Sequence, residues 1–420
     1  MVSLSATYEQ TRARIKRTVV AGSLKGVSHI KCKSLTTAPL AHQWWAHQLR
    51  GKPVELVSSG TVHTVDFFCG SGGLSLGATY AIEACGMSHQ PLAAVDVDAE
   101  ALAVYARNFR PSAALVANAA SVVDYHVYGR GEDAELAYAP ELVDGRLEAL
   151  VGKVDLVLAG PPCQGHSNLN NHTRRSDPRN VLYVSVAATA IALRTRALVI
   201  ENVADVLADK TNVVGVATRI LTMAGYSVSS GILSATALGG GQSRRRHFLV
   251  ATKGQPHVDV EEASTLLRQP AMTLREVIGD LEHSPHRSFM DDAPALSPEN
   301  RARIDYLHDH DEYDLPDHQR PDCHKDGHTY PSVYGRMYWD RPAQTITTGF
   351  MTPGRGRYIH PSQRRVITAR EAARIQGFPD TYDFSIDDGA PSKKALTKWI
   401  GDAVPSWLGY AAVLTALSGM

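Results

Sequence analysis

Cys163 stands in the stretch Gly160-Pro161-Pro162-Cys163-Gln164-Gly165-His166-Ser167-Asn168, directly after an apolar run at 154–159 that reads as a buried strand. Two prolines end that strand and stiffen the turn beyond it, since each fixes φ and removes a backbone donor. A thiol beyond a strand's carboxyl end is a nucleophile when something lowers its pKa or holds it against an electrophile. Taken alone, the Pro-Cys pair fits a small buried cysteine better. Partners are therefore what decide. Glu201 closes another apolar run, at 197–200, so its carboxylate can meet Cys163 at one sheet edge. A desolvated carboxyl there keeps its proton and can donate to a ring nitrogen. In Gln242-Ser243-Arg244-Arg245-Arg246, strand alternation puts Gln242, Arg244 and Arg246 on one side. Two arginines beside an acid and a thiol suit a polar or anionic ligand.

These groups need a scaffold that brings loop ends together. From Val62 the chain alternates strand and helix, the pattern of a parallel sheet with crossover helices. Strands are expected at 64–68, 91–95, 114–117, 154–159 and 197–200, with a closing pair at 225–228 and 246–251. Helices are expected at 99–108, 180–193, 216–224, 368–376 and 394–417, and one ending at Ala84. Gly70-Ser71-Gly72-Gly73 lies between the first strand and its helix, where glycine lets backbone approach a nucleotide closely. Asp96 ends the next strand, where an acid can accept from ribose hydroxyls. This pairing fits an NAD site and an S-adenosylmethionine site equally well.

Composition bounds the class. The chain has 420 residues, 44% hydrophobic and 20% charged, as expected of a globular protein with a sizeable core. Lys plus Arg equals Asp plus Glu at 43 each, which excludes a uniformly basic coat but not local patches. Five scattered Cys suit reduced thiols better than a disulfide framework. No apolar run is long enough to span a membrane, and no signal-peptide pattern is present, so a cytoplasmic protein is expected. Residues 1–60 form a basic extension with a short helix expected at 6–19. They read as an arm on nucleic-acid backbone or as a segment packed through Trp44-Trp45.

The ordered set Phe68-x-Gly70-x-Gly72, Pro162-Cys163-Gln164, Glu201-Asn202-Val203 and Gln242-x-Arg244-x-Arg246 resembles the DNA (cytosine-5)-methyltransferase family of bacterial or phage type. Arg370-Glu371-x-x-Arg374-x-Gln376-Gly377-Phe378-Pro379 and Gly401-Asp402-Ala403-Val404-Pro405 extend the resemblance, which covers roughly 62–420. It implies an α/β fold: a Rossmann-like S-adenosylmethionine-dependent methyltransferase domain with a smaller irregular target-recognition domain. It implies that Cys163 adds to carbon 6 of cytosine, that Glu201 holds N3 and the amino group, and that Arg246, supported by Arg244, binds the carbonyl oxygen and a phosphate. The cofactor set it implies is Phe68 against the adenine, Gly70, Ser71, Gly72 and Gly73 beneath the methionine part, and Asp96 on the ribose. Val97 and Asn118 flank the adenine, Pro162 and Leu182 close the pocket, and Asp402 and Ala403 complete it. Four positions depart from the family pattern: Val97 replaces a larger apolar residue, Asn118 an Asp, Ser185 an acid and Asp402 an Asn.

The resemblance also implies double-stranded DNA as partner, a restriction endonuclease acting on the same site, and a monomer. Contacts to DNA fall on Gln164, Ser167, Gln242, Tyr334, Arg336, Arg341 and Thr347, residue types suited to base edges and phosphates. The catalytic domain is expected at 61–252 plus 387–420, and the recognition domain at 253–386. Every landmark lies after Val62, so residues 1–60 are expected to be dispensable for chemistry. Cys323-His324, His318 and His328 have poor ligand spacing, and no metal is expected. A transfer-RNA cytosine methyltransferase of the same fold shares the cysteine and the glutamate. A nicotinamide dehydrogenase would leave both unexplained, and an intact Cys163 argues against a catalytically silent DNA-binding relative.

Overall fold

The computed structural model describes residues 2–11, 13–32, 37–162, 181–325, 332–387 and 389–420; the side chains of Val181 and Cys323 are not among them. The first 60 residues are not the helix expected at 6–19. They form an antiparallel meander, β1 (Leu4–Thr11), β2 (Arg14–Ala21) and β3 (Leu24–Lys31), followed by α1 (Leu40–Leu49) and the short β4 (Glu55–Leu56). Along β2, Ile15, Arg17, Val19 and Ala21 all turn inward, the two-residue period of a half-buried strand. Arg17 keeps its charge inside by placing its guanidinium 4.3 Å over the Trp44 ring, with Nε donating to Ser28 Oγ.

This meander is part of the main body. Trp45 packs against Tyr80, Trp407 and Tyr410 at ring separations of 5.5–5.8 Å. A Cβ at Gly26 would collide with the carbonyl oxygen of Ala84, so the sheet lies directly on the helix that Ala84 ends. Residues 1–60 thus pack into the main body, and their removal is expected to destabilise the folded state. Trp45→Ala is expected to cost about 3–5 kcal/mol, and deletion of 1–60 to yield a chain that does not stay folded. An unchanged denaturation midpoint for Trp45→Ala would return the segment to the status of an appendage.

The central sheet contains β5 (Thr61–Phe67), β6 (Ser88–Asp96), β7 (Ala113–Val116), β12 (Leu156–Ala159), β13 (Ala197–Asn202), β14 (Tyr226–Ser234) and β15 (Arg245–Lys253). Between β7 and β12 the chain makes four two-residue strands, β8 (Val123–Asp124), β9 (Val127–Tyr128), β10 (Glu135–Leu136) and β11 (Glu141–Leu142). The sheet order is β14-β15-β13-β12-β5-β6-β7; β13 to β7 run parallel and the β14-β15 pair is antiparallel. From β5 the chain moves outward through β6 and β7, then returns to β12 on the other side. That reversal opens a crevice beyond the carboxyl ends of β5 and β12, where open α/β sheets bind ligands. The β12 and β13 runs are buried on both faces, which explains their continuous apolar sequence.

α2 (Gly73–Ala84) and α3 (Ala99–Phe109) follow β5 and β6, and the short α4 (Gly145–Glu148) precedes β12. α5 (Val181–Leu193) and α6 (Val213–Met223) cover one sheet face, with Tyr183, Ala187 and Ile220 in its core. α2 covers the other face together with α12 (Ser406–Leu417), all of whose residues are buried. The expected single helix at 394–417 is two, α11 (Lys393–Asp402) and α12, because Pro405 cannot continue the first. The intervening α7 (Val260–Leu266), α8 (Leu274–Ile278), α9 (Pro298–Asp309) and α10 (Ala369–Gln376) are joined by irregular chain. Among the described residues of 253–386, a cluster around Ile304, Leu307, Leu315, Val333, Ile359 and Val366 has a core of its own, while α7, α8 and α10 share the main one. Among the described residues, no single helix is long and apolar enough to cross a membrane.

Candidate active site

The glycine turn after β5 is built on left-handed backbone. Phe68 adopts φ +55 and Gly70 φ +50, and Gly72 has φ +91. A Cβ at Gly72 would strike the rings of Phe109 and Tyr105 and the Tyr382 hydroxyl, so only glycine fits. Ser71 Oγ donates to Trp399 O, and the Tyr382 hydroxyl donates to Ser71 O, pinning the turn from beneath. Gly73 opens α2 against Ala403 and Val404. Above Gly70 the space is open. Its N–H donates to Asp96 Oδ2 at 2.8 Å, while Asp98 N–H donates to Asp96 Oδ1, which fixes the carboxylate beside the opening.

Val97, next to Asp96, is 67% exposed. Asn118 spends its carbonyl on Ala120 N–H, and Asp402 is exposed near Lys398. Leu182 is half-buried and Ser185 Oγ donates to its carbonyl. An open glycine backbone, a fixed acid and an exposed apolar residue match the polar, ribosyl and adenine parts of S-adenosylmethionine.

Across the crevice, Glu201 is only 8% exposed, at the end of β13. Arg246 Nε lies 3.0 Å from its Oε1. Burial pushes the carboxyl's pKa up; the charges of Arg246 and then Arg244 oppose that shift without cancelling it. A Cβ at Gly160 would stand 3.8 Å from Glu201 Oε2 and 3.9 Å from Phe68 O, so the ends of β12, β13 and β5 converge on one point. Asn202, 1% exposed, donates from Nδ2 to Pro161 O at 3.3 Å and accepts Val203 N–H. The residue beside the acid thus holds the start of the Pro161-Pro162 turn. Behind Glu201, His247 is buried and its pKa is lowered to about 4 by burial, so this layer adds no cationic charge at neutral pH.

The alternation along 242–246 is present, with Gln242 and Arg244 buried and Ser243 and Arg245 exposed. Its functional reading needs correction at Gln242, which is wholly buried. Its amide donates to Ile375 O and Gln376 Oε1, and its carbonyl accepts from Ile346 N–H, so it cannot touch DNA. Arg244 donates to Ile346 O and Gly401 O at 2.8 and 2.9 Å, which holds its charge close enough to act on Glu201. Tyr334 is buried with its hydroxyl against Gly354, which removes it from base reading. Arg336 is committed to Asp311, at 2.9 Å, and to Pro361 O, so it is not available for guanine. Arg341 and Thr347 are exposed. Cys163, Gln164 and Ser167 lie outside the described residues, and Pro162, the last residue before them, is half-buried.

Sequence reasoning passes over one group although it carries a signal: an acid inside an apolar strand. Asp66 is buried in β5 with Ser75 Oγ 2.7 Å from its Oδ2 and Tyr105 OH 2.8 Å from Ser75. Burial, aided by Asp96, pushes its pKa from 3.8 to about 8 against the Ser75 hydrogen bond. The folded state therefore holds a proton that the unfolded chain releases above its ordinary pKa. Stability should fall as pH rises between those two values. Asp66→Asn is expected to flatten that slope in chemical denaturation, and an undiminished slope would contradict the assignment.

Residues 62–414 match the model of the C-5 cytosine-specific DNA methylase family. The chain belongs to that family. It is 38% identical to Type II methyltransferase M1.BsuMI of Bacillus subtilis (strain 168), over 88% of this chain and 84% of that one. It is 30% identical to Type II methylase M.HgiDII of Herpetosiphon aurantiacus, over 82% of this chain and 92% of that one. Its fold is similar to the crystal structure of S. pombe Dnmt2 methyltransferase, with a TM-score of 0.54 and 14% identity over 85% of this chain and 98% of that one. The methylase is a DNA (cytosine-5)-methyltransferase, and S-adenosylmethionine is its methyl donor.

Proposed function

We propose that the methylase transfers a methyl group to carbon 5 of a cytosine flipped out of a specific duplex DNA sequence, through a covalent adduct with Cys163. The observation that carries this reading is the Glu201 carboxyl, desolvated so that its pKa is pushed up, with Arg246 Nε 3.0 Å from it, at the sheet edge facing the glycine cradle. The Cys163 thiolate forms a bond to carbon 6, and the displaced electron pair moves into the ring toward carbon 5 and N3. Glu201 donates to N3 and accepts from the amino group, stabilising that charge. Arg246 turns from Glu201 toward the ring carbonyl oxygen. Gly70, Gly72, Asp96 and Val97 hold S-adenosylmethionine, which supplies an electrophilic methyl group. After methylation a base removes the carbon 5 proton, the carbon–sulfur bond breaks, and the thiolate leaves.

Carbons 5 and 6 of a stacked cytosine cannot be reached by thiol and methyl donor together, so the base must leave the helix, at a cost of about a few kcal/mol. Residues 253–349 supply the contacts that offset this cost, with Arg341 and Thr347 as exposed candidates and Gln164 and Ser167 beside the nucleophile. We assign 61–252 plus 387–420 to catalysis and 253–386 to target recognition. The similarity to Type II enzymes supports a restriction–modification setting, with an endonuclease acting on the same site; we read the enzyme as a monomer of the cytoplasm. Labelled S-adenosylmethionine with duplex DNA, bulk transfer RNA or no nucleic acid tests the substrate. Label in 5-methylcytosine from duplex DNA alone is expected; label in transfer RNA alone would overturn the reading.

A further inference from the structure

Four side chains in the segment after α9 form a ladder, two stacked rings with a guanidinium over each. The Tyr313 and Tyr338 rings stack at 4.3 Å with planes 8° apart. Arg336 lies 4.7 Å over Tyr313, and Arg341 lies 4.2 Å over Tyr338. Arg357 sits 5.2 Å from the Tyr338 ring and donates to Tyr313 O and Arg336 O, tying the two halves of the ladder together. Two of these three cations are matched by carboxylates, Arg336 by Asp311 and Arg357 by Asp314. Arg341 differs. Its side chain is 63% exposed, and its nearest carboxylate is the equally exposed Asp340 at 3.9 Å.

The root of Arg341 is fixed. Arg341 O accepts Leu274 N–H at 2.8 Å, and Trp339 O accepts Arg275 N–H. Two residues on, Ala343 exchanges hydrogen bonds at 2.8 Å with Gly241 O and Ser243 N–H, the lead-in to β15. Gln242 and Arg246 are four residues apart, at most about 13 Å of extended chain, or roughly four base steps of duplex. A guanidinium held flat on a ring keeps its outer fork free and loses little rotamer freedom on binding. Its natural partner is a pair of coplanar acceptors, as N7 and O6 of guanine present in the major groove.

We infer that Arg341 reads a guanine flanking the target cytosine, and that Tyr338, backed by Tyr313, is its positioning residue. This rests on the proposed function above and narrows its recognition surface to one side chain and its support. The test is competitive methylation of a duplex pool randomised around the target, with the methylated products sequenced. The full-length wild type is expected to favour guanine at one flanking position. Arg341→Ala should lose roughly 5- to 150-fold of that preference, the span for one bidentate base contact, with the other positions unaltered. Arg341→Lys keeps the charge without the planar fork and should retain only part of the preference, since an ammonium can still donate to N7 and O6. Tyr338→Ala should reproduce the loss, whereas Tyr338→Phe, which keeps the ring, should restore it. A preference retained in Arg341→Ala, or a loss spread evenly over all sequences as for a phosphate contact, would overturn the inference. If wild type methylates no duplex at all, the proposed function fails instead.

Discussion

Replacing Cys163 with serine is expected to abolish methyl transfer, by roughly a thousandfold or more, on the scale seen when a covalent nucleophile is lost. A serine hydroxyl is of nearly the same size but ionises far less readily than a thiol, so addition to carbon 6 stalls. The surrounding machinery should survive the change. The cradle of Gly70, Gly72 and Asp96 is held by Trp399 O, Tyr382 and Gly70 N–H, none of which depends on Cys163. Binding of S-adenosylmethionine, measured by calorimetry, is therefore expected to stay near the wild-type value while turnover vanishes. Near-normal turnover in Cys163→Ser would move the nucleophile elsewhere.

Glu201→Gln is expected to lower turnover by about a hundredfold or more. The amide can still donate to N3 but has no proton to give. The pH dependence distinguishes this role from a structural one. Burial raises the Glu201 pKa, so the protonated form is present below that raised value and is lost as pH rises through it. Thiolate formation runs the other way, increasing with pH. Wild type should therefore show a bell-shaped profile for kcat, and the Gln variant should lack the alkaline fall. A variant that keeps both the rate and the alkaline limb would make Glu201 a structural acid.

The parallel sheet is legible in the sequence because β5, β12 and β13 are apolar runs ending in punctuation, and the site residues lie just beyond those ends. The same logic exposes Glu201 and the glycine turn. It fails for the first 60 residues, where Arg14, Lys16 and Arg17 read as a charge cluster. In the fold Arg17 alone turns inward, onto a Trp44 ring that stands 27 positions later in the sequence. It fails again for Arg336, whose partner Asp311 is 25 residues away and whose fate the local sequence cannot announce. Gln242 shows a third kind of miss. Its side of the Gln-x-Arg-x-Arg row is as alternation predicts, but that inward side packs on α10 rather than facing DNA. Position along a strand is local information; what covers that strand is not.

The covalent step can be trapped directly. A duplex carrying 5-fluorocytosine at the target position gives the base no proton to lose at carbon 5, so the adduct should persist after methylation. Incubated with S-adenosylmethionine, the wild-type chain is expected to form a denaturant-resistant complex whose mass equals protein plus oligonucleotide plus methyl. Peptide mapping should place the link on Cys163, and Cys163→Ser should form none. Efficient methylation of ordinary duplex with no trapped complex on the fluorinated one, or a link on any other residue, would contradict covalent catalysis by Cys163.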